Sequence, residues 1–248
     1  MTTFNRLFSI VLSFFIFTCV AQAETPLRIM ADWSFPPYSY KGDDGEASGL
    51  HVEITKGALD HAGIEFEIIL MPWKRLIQIT DAGELDISLP WRYKPERFEK
   101  YNMIGPFSDE GSGTYFWARK DSSLTWHNLE DLKDQKIAAI SGFAYPKAFE
   151  DANYLNKTLL TGDTEMLAKL VYLQRYDLIL SDETAFSAAV ERLNLVGSFK
   201  RIGPSFENVK RYAVVPKQKP EVAKAVEKAF AVFRKTPKYR QIIEKYVH

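Results

Sequence analysis

The sequence predicts an α/β protein of two lobes, each a mostly parallel sheet flanked by helices, joined by a two-strand hinge. Strand and helix patterns alternate between residues 27 and 89, and the same alternation begins again near residue 136. Strands that alternate with helices predict βαβ crossovers, so two such runs predict two sheets. Two extended apolar segments, 113–119 and 210–216, lie outside these runs. We expect the chain to cross between the lobes there, with the rotation absorbed by 115–119 and 212–215.

The first run of elements follows from apolar spacing and from its proline and glycine breaks. Residues 27–31 form a strand candidate, and the next segment is a loop because Pro36 and Pro37 exclude both a helix and a central strand. The apolar residues of 50–62 fall on one helical face. The other elements expected in this lobe are a strand at 65–70, a helix at 73–82 ending at Gly83, and a strand at 85–89.

The second run repeats the same rhythm. Its expected elements are strands at 136–140, 157–160 and 177–181, and helices at 145–152, at 164–173 and from Thr184 onward. The last stretch, 221–247, is helical and amphipathic with a break near Pro237. Because the chain crosses between the lobes twice, we expect this stretch to return to the first lobe. The predicted division is therefore 24–116 with 213–248 for the first lobe, and 117–212 for the second.

Residues 1–23 have the composition of a secretory signal peptide. Arg6 is followed by an apolar run of 14 residues and then by Ala21-Gln22-Ala23. The run is too short to span a hydrocarbon core, which needs about 20 residues in a helix. We expect cleavage after Ala23 and a periplasmic location; an uncleaved N-terminal anchor is the alternative. The single cysteine, Cys19, lies in this segment, so the mature chain would have no thiol chemistry.

Charge and residue spacing exclude several classes of function. The chain carries 32 basic and 32 acidic residues, and a basic patch of the kind that binds nucleic acid is not evident. The histidines are scattered without metal-ligand spacing, so neither a metal nor a cofactor is expected. We expect a monomer. In open α/β sheets, ligands bind beyond the carboxyl ends of the strands, which here would face each other across a cleft between the lobes.

Several motifs recur in a specific order along the chain. They are D-W-S-F-P-P-Y-S-Y at 32, G-L-H-V-E-I at 49, P-W-K-R-L at 72, G-E-L-D-I at 83, P-E-R at 95, G-P-F-S at 105 and Y-D-L-I-L-S-D at 176. In this order the chain resembles the family 3 extracellular solute-binding proteins, which have a type 2 periplasmic binding protein fold. The resemblance implies a periplasmic receptor that captures a small polar solute, with amino acids as the expected class, and delivers it to an ABC permease.

The resemblance assigns roles to two charged residues. Arg97 matches the arginine that grips the ligand α-carboxylate, a role that suits the two parallel N–H donors of guanidinium. Arg92 is a rival for this role, and a solvated helix charge is the simpler interpretation of Arg97. Asp182 matches the acidic residue that receives the ligand α-ammonium, but it also suits a helix N-cap. Both roles of Asp182 can hold at once.

Aromatic residues supply the other expected contacts. Phe35 and Trp73 match the positions where relatives sandwich the ligand between rings, although either ring could instead close the core of the first lobe. Gly142 and Phe143 lie where a strand gives way to a helix, whose free N–H groups suit an anion. Phe143 replaces the hydroxyl residue that is usual there.

The segment that includes Leu89, Trp91 and Arg92 is a second departure from the family pattern. Pro90 and the bulky Trp91 and Arg92 stand here in place of small or hydroxyl residues, and Leu89, Trp91 and Arg92 are expected to line the ligand pocket. Together with the departure at Phe143, they predict a pocket that differs from that of the well-known receptors.

Two other classes of function compete with the receptor. The first is an enzyme on the same fold, because periplasmic cyclohexadienyl dehydratases resemble these receptors, with Glu53, Asp182 or Glu183 as its acid or base. We find no nucleophile, base and orienter constellation in the sequence that favours it. The second is a ligand-sensing module without a transport role.

Overall fold

The computed structural model describes residues 25–108, 112–206 and 208–246. The predicted signal peptide and its cleavage site lie outside these residues. Across the described ranges, no helix combines the length and the apolar character that crossing a membrane requires.

The described chain contains strands and helices in the alternation expected from sequence. The strands are β1 (Leu27–Asp32), β2 (Ser34–Phe35), β3 (Ser39–Lys41), β4 (Ala47–Ser48), β5 (Phe66–Met71), β6 (Ile87–Arg92), β7 (Tyr101–Ile104), β8 (Ser112–Arg119), β9 (Ile137–Ile140), β10 (Lys157–Leu160), β11 (Leu178–Asp182), β12 (Phe199–Ile202), β13 (Asn208–Val209) and β14 (Arg211–Pro216). The α-helices are α1 (Leu50–Ala62), α2 (Trp73–Ala82), α3 (Pro95–Lys100), α4 (Lys147–Asp151), α5 (Thr164–Tyr172), α6 (Glu183–Arg192), α7 (Pro220–Phe233) and α8 (Pro237–Tyr246).

The first lobe is built on a five-stranded sheet of order β5-β1-β6-β14-β7. Strand β1 runs parallel to both β5 and β6, whereas β14 is antiparallel to β6 and to β7. Four strands therefore point the same way and β14 is reversed. The reversal arises because β14 enters this sheet from the second lobe.

The second lobe repeats this pattern with the order β10-β9-β11-β8-β12, and the short β13 also pairs with β8. Strands β9, β10 and β11 are parallel, and β8 is antiparallel to its neighbours. Here too the reversed strand is the one that arrives from the other lobe. The predicted fold class is confirmed: two lobes, each with a mostly parallel sheet between helices, joined by two chain crossings.

The two crossings lie next to the segments that were expected to form the hinge. All of β8 belongs to the second sheet and all of β14 to the first. The predicted hinge segments, 115–119 and 212–215, are therefore strands inside the lobes, and the predicted lobe boundaries at 116 and 212 fall within them. The crossings lie between β7 and β8 and at Lys210, between β13 and β14. An extended apolar segment is as typical of a buried strand as of a connector between lobes. The sequence pattern therefore did not separate the hinge from the strands next to it.

The C-terminal helices pack against the core of the first lobe. Val226, Phe230 and Phe233 of α7 join the buried core that also contains Ile54 of α1. Gly57 of α1 makes this packing possible, because a Cβ atom there would lie 2.3 Å from Cζ of Phe233.

A small three-stranded sheet, β2-β3-β4, occupies the segment that was expected to be a loop. Its strands have two or three residues each, too few to give a periodic pattern in sequence. The sheet and the start of α1 hold His51 in the interior, where it is 2 % exposed and stacked between Tyr38 and Phe107. His51 therefore lies in the core and not on a solvated face of α1. Burial lowers its pKa well below the ordinary value for histidine.

Candidate functional site: the cleft between the lobes

The cleft lies at the carboxyl ends of strands from both sheets, as the fold class predicts. From the first lobe and its returning strand it is lined by Asp32, Phe35, Trp73, Pro90, Arg92, Arg97 and Arg211. From the second lobe it is lined by Thr114, Ile140, Phe143, Ala144, Tyr145, Thr164, Leu167, Leu180, Ser181 and Asp182. In the ranges that the structure describes, no group of three histidine, cysteine, aspartate or glutamate side chains could hold a metal ion.

Local structure explains how the main side chains reach this cleft. Asp32, Arg92 and Asp182 are the last residues of β1, β6 and β11, and Trp73 is the first residue of α2. Phe143 follows β9 at the turn before α4. Ends of strands and beginnings of helices therefore supply these groups.

An aromatic wall bridges the two lobes at the cleft. The ring of Phe143 lies edge-on to Phe35, at 5.3 Å between centroids, and edge-on to Trp73, at 5.9 Å. Trp73 in turn lies 4.9 Å from Trp91. Edge-to-face rings at these separations attract one another beyond their area of burial. The wall makes one side of the cleft apolar.

Arg97 carries a guanidinium that is available to an anion. Its Nη1 donates to the backbone oxygen of Arg92 at 3.0 Å, and its guanidinium carbon lies 4.7 Å above the ring of Trp91. Among the described residues, no carboxylate lies within ion-pair distance of it. Burial lowers the pKa of Arg97 to about 10, so it stays protonated at neutral pH.

Arg92 connects the two lobes. Its Nη1 donates to the backbone oxygen of Ala144 at 3.0 Å. Two other contacts also join the first lobe to the second. Trp73 Nε1 donates to the backbone oxygen of Gly142 at 2.9 Å, and Lys94 Nζ lies 2.6 Å from Glu150 Oε1. The lobes are therefore closed on each other.

Asp182 already has several partners within the protein. Its Oδ1 accepts from the backbone N–H of Ala185 at 2.9 Å, so it caps α6, and from the Tyr38 hydroxyl at 3.2 Å. Its Oδ2 forms an ion pair with Arg211. Sequence reasoning missed Arg211, although a single arginine at the start of an apolar segment was a visible signal.

Asp32 and Thr114 were also missed. Asp32 is 3 % exposed, and burial raises its pKa to about 7. The charge of Asp163 contributes to this rise, and the N–H of Ser34 opposes it at 3.1 Å from Oδ1. The Thr114 hydroxyl is buried without a hydrogen-bond partner in the described part of the chain. The position of Asp32 at the end of a predicted strand was a signal available in the sequence.

Three of the predicted residues do not line the cleft. The side chain of Leu89 is fully buried in the core of the first lobe, which corrects the expectation of ligand contact. Trp91 is 2 % exposed and supports Trp73 and Arg97 from behind. Gly142 has a φ of 81° and contributes its carbonyl oxygen to the contact with Trp73.

Two lobes with the same strand order that meet over a cleft form the type 2 periplasmic binding protein fold. The model of the bacterial extracellular solute-binding proteins, family 3, matches residues 27–248, and the chain belongs to this family.

Curated relatives of this chain are amino acid-binding proteins. The L-cystine-binding protein TcyJ of Escherichia coli (strain K12) is 24 % identical over 222 residues, which cover 89 % of this chain and 82 % of that protein. The histidine-binding periplasmic protein of the same organism is 23 % identical over 255 residues, covering 96 % of this chain and 94 % of that protein.

Solved structures share the fold at low identity. A histidine kinase sensor domain with similarity to periplasmic binding proteins aligns with a TM-score of 0.80 and 18 % identity, over 90 % of this chain and 96 % of that one. The ancestral amino acid-binding protein AncCDT-1, a precursor of cyclohexadienyl dehydratase, aligns with a TM-score of 0.74 and 21 % identity, over 90 % of this chain and 96 % of that one.

Proposed function

We propose that this protein is a periplasmic receptor, exported by a cleaved signal peptide, that captures a small amino acid or related carboxylate and delivers it to an ABC permease. The observation that carries this proposal is the guanidinium of Arg97, which lines the interlobe cleft with no carboxylate partner among the described residues. A half-buried guanidinium keeps its charge and offers N–H donors in the geometry of a carboxylate, so Arg97 suits a carboxylate ligand. The amino acid-binding relatives support the same class of ligand.

In the proposed mechanism, the ligand shifts the receptor toward its closed form. A solute held by Arg97 on one lobe gains contacts with Phe143 and Thr114 on the other only when the lobes meet. Such differential binding moves the population toward closure. The crossings between β7 and β8 and at Lys210 would absorb the rotation. The closed surface would then be recognised by the permease.

A thermal-shift screen of the mature protein against amino acids, polyamines and small carboxylates tests the proposal. We expect carboxylates to raise the melting temperature and polyamines to leave it unchanged. Small-angle scattering with the best ligand should show a smaller radius of gyration than without it. A ligand that binds without any compaction would contradict the hinge mechanism.

An enzyme on this fold is the second candidate, and Asp32 is the observation that favours it. A carboxyl group in the cleft with a pKa of about 7 has the value expected of a general acid or base at neutral pH. Two of the residues first considered for this role lie elsewhere: Glu53 pairs with Lys245, and Glu183 pairs with Arg201. Incubation with prephenate or arogenate, followed by a search for an aromatic product, separates the enzyme from the receptor.

A further inference from the structure

We infer that the solute recognised by this cleft is a carboxylate anion with an apolar body and without a free α-ammonium group. The inference rests on the proposed function, because it narrows the ligand class of the same cleft. Its basis is the balance of charges already present among the residues that line the cleft.

The first step concerns Asp182, which would have to receive an ammonium group. Its two oxygens already accept from Tyr38, Ala185 and Arg211, and Arg211 compensates its charge. Asp182 and Arg211 are only 7 % and 8 % exposed, so this ion pair is shielded from solvent. A second cation beside the pair would be desolvated without a counter-charge of its own, which is unfavourable.

The second step concerns how firmly Arg211 is held in that position. Its guanidinium carbon lies 4.0 Å from the centroid of the Tyr38 ring and 5.2 Å from that of Phe35. An arginine over two aromatic faces gains cation–π stabilisation in addition to the ion pair. A ligand ammonium competing for Asp182 would have to displace these contacts as well.

The third step concerns the remaining charges. Asp32 is the other carboxyl group that lines the cleft, and burial favours its neutral form. Of the arginines that line the cleft, Arg211 is paired with Asp182, whereas Arg97 has no carboxylate within ion-pair distance among the described residues. A ligand carboxylate at Arg97 would therefore gain a counter-charge, which a ligand ammonium beside Asp182 would not.

The fourth step concerns the body of the ligand. The Thr114 hydroxyl is 1 % exposed and unpaired among the residues that the structure describes, so it can donate to a ligand oxygen. Residue Thr114 lies opposite Asp182 in the β8–β11 pair. Much of the remaining wall is apolar, with Phe35, Trp73, Phe143 and Leu167 facing the cleft. Such a wall suits an aliphatic or aromatic acid.

Matched pairs of ligands test the inference on the wild-type protein. Each pair contains an amino acid and the same acid without its amino group: phenylalanine with 3-phenylpropanoate, leucine with 4-methylpentanoate, and glutamate with glutarate. By calorimetry we expect the acid without the amino group to bind at least about tenfold more tightly in the pairs that bind, because the ammonium of the amino acid would be buried without a counter-charge. If the amino acid member binds more tightly, the inference is overturned while the receptor proposal stands. If no member of any pair binds, the inference is overturned, and the thermal-shift screen decides the receptor proposal.

The variant Asp182→Asn tests whether this side chain holds a ligand ammonium or only caps α6 and pairs with Arg211. The two possibilities predict opposite changes in ligand affinity. Asparagine caps a helix as well as aspartate, so α6 keeps its N-cap. If Asp182 held a ligand ammonium, amino acid affinity would fall tenfold or more. We expect instead that affinity for the anion is retained or rises, since Arg211 loses its counter-charge. Glu165→Gln, which removes an ion pair with Arg192 away from the cleft, is the control. If Asp182→Asn does not fold, the wild-type ligand pairs still decide.

Discussion

The indole nitrogen of Trp73 and the carbonyl oxygen of Gly142 form a hydrogen bond of 2.9 Å from one lobe to the other. Trp73 begins α2 in the first lobe, and Gly142 follows β9 in the second. Contacts of this kind exist only when the lobes are closed. Their removal should therefore change ligand affinity through the closing equilibrium.

Trp73→Phe keeps an aromatic ring and removes the donor of that contact. A net hydrogen bond contributes about 1 kcal/mol, so we expect the dissociation constant of the best ligand to rise about fivefold. The matched control is Trp126→Phe, which removes a 2.8 Å bond to Ile202 within the second lobe. The control should lower thermal stability without changing affinity. Equal affinity losses in both variants would contradict a role in closure.

Arg97→Ala should weaken carboxylate binding more than Arg92→Ala. Hydrogen bonds to a charged group contribute about 1.5–3 kcal/mol each, so we expect at least a tenfold loss for Arg97. Arg92 already donates to Ala144, and its removal should act mainly through closure, with a smaller loss. Titration calorimetry on both variants measures the two effects. The reverse order would transfer the carboxylate assignment to Arg92.

The ion pair between Lys94 and Glu150 should stabilise the closed form. The two atoms lie 2.6 Å apart, and the side chains are 27 % and 35 % exposed. A double-mutant cycle with Lys94→Met and Glu150→Gln should give a coupling energy in ligand binding of about 0.2–1 kcal/mol. The coupling should shrink at high salt because the pair is partly exposed. Zero coupling at low salt would show that the pair does not contribute.

Asp32 should make stability depend on pH in a specific direction. Burial raises its pKa to about 7 in the folded protein, so between pH 4 and 7 the folded state binds more protons than the unfolded state. The free energy of unfolding should therefore fall as pH rises through this window, by about 1.4 kcal/mol per pH unit at most.

Asp32→Asn removes this titration and provides the reference. The free energy of unfolding is measured with urea at pH 5 and at pH 8 for both proteins. Because only wild type loses stability over this interval, the difference between variant and wild type should rise by about 3 kcal/mol in favour of the variant. A stability difference that stays constant with pH would show that Asp32 titrates normally.

The elements that depend on local pattern were predictable. Helix α2 was expected at 73–82 and begins and ends there, because Pro72 and Gly83 mark its two ends and the apolar spacing is helical. Phe35, Trp73, Arg92, Arg97, Phe143 and Asp182 were predicted to bind the ligand; all six line the cleft, and their contact with a ligand stays a prediction. They lie near the ends of strands or the beginnings of helices, and the family resemblance already indicated most of them.

The amino-acid sequence alone determined the two-lobed α/β class, since periodicity and chain breaks are properties of neighbouring residues. The chemistry of the cleft depends on the tertiary structure, because its charged groups meet across the two lobes. The partner of Asp182 is Arg211, which is 29 residues away and on a strand of the other sheet. The raised pKa of Asp32 likewise depends on burial and on the charge of Asp163 in the other lobe. Charge compensation depends on distance in space, and local pattern does not encode which strands will bring two charges together.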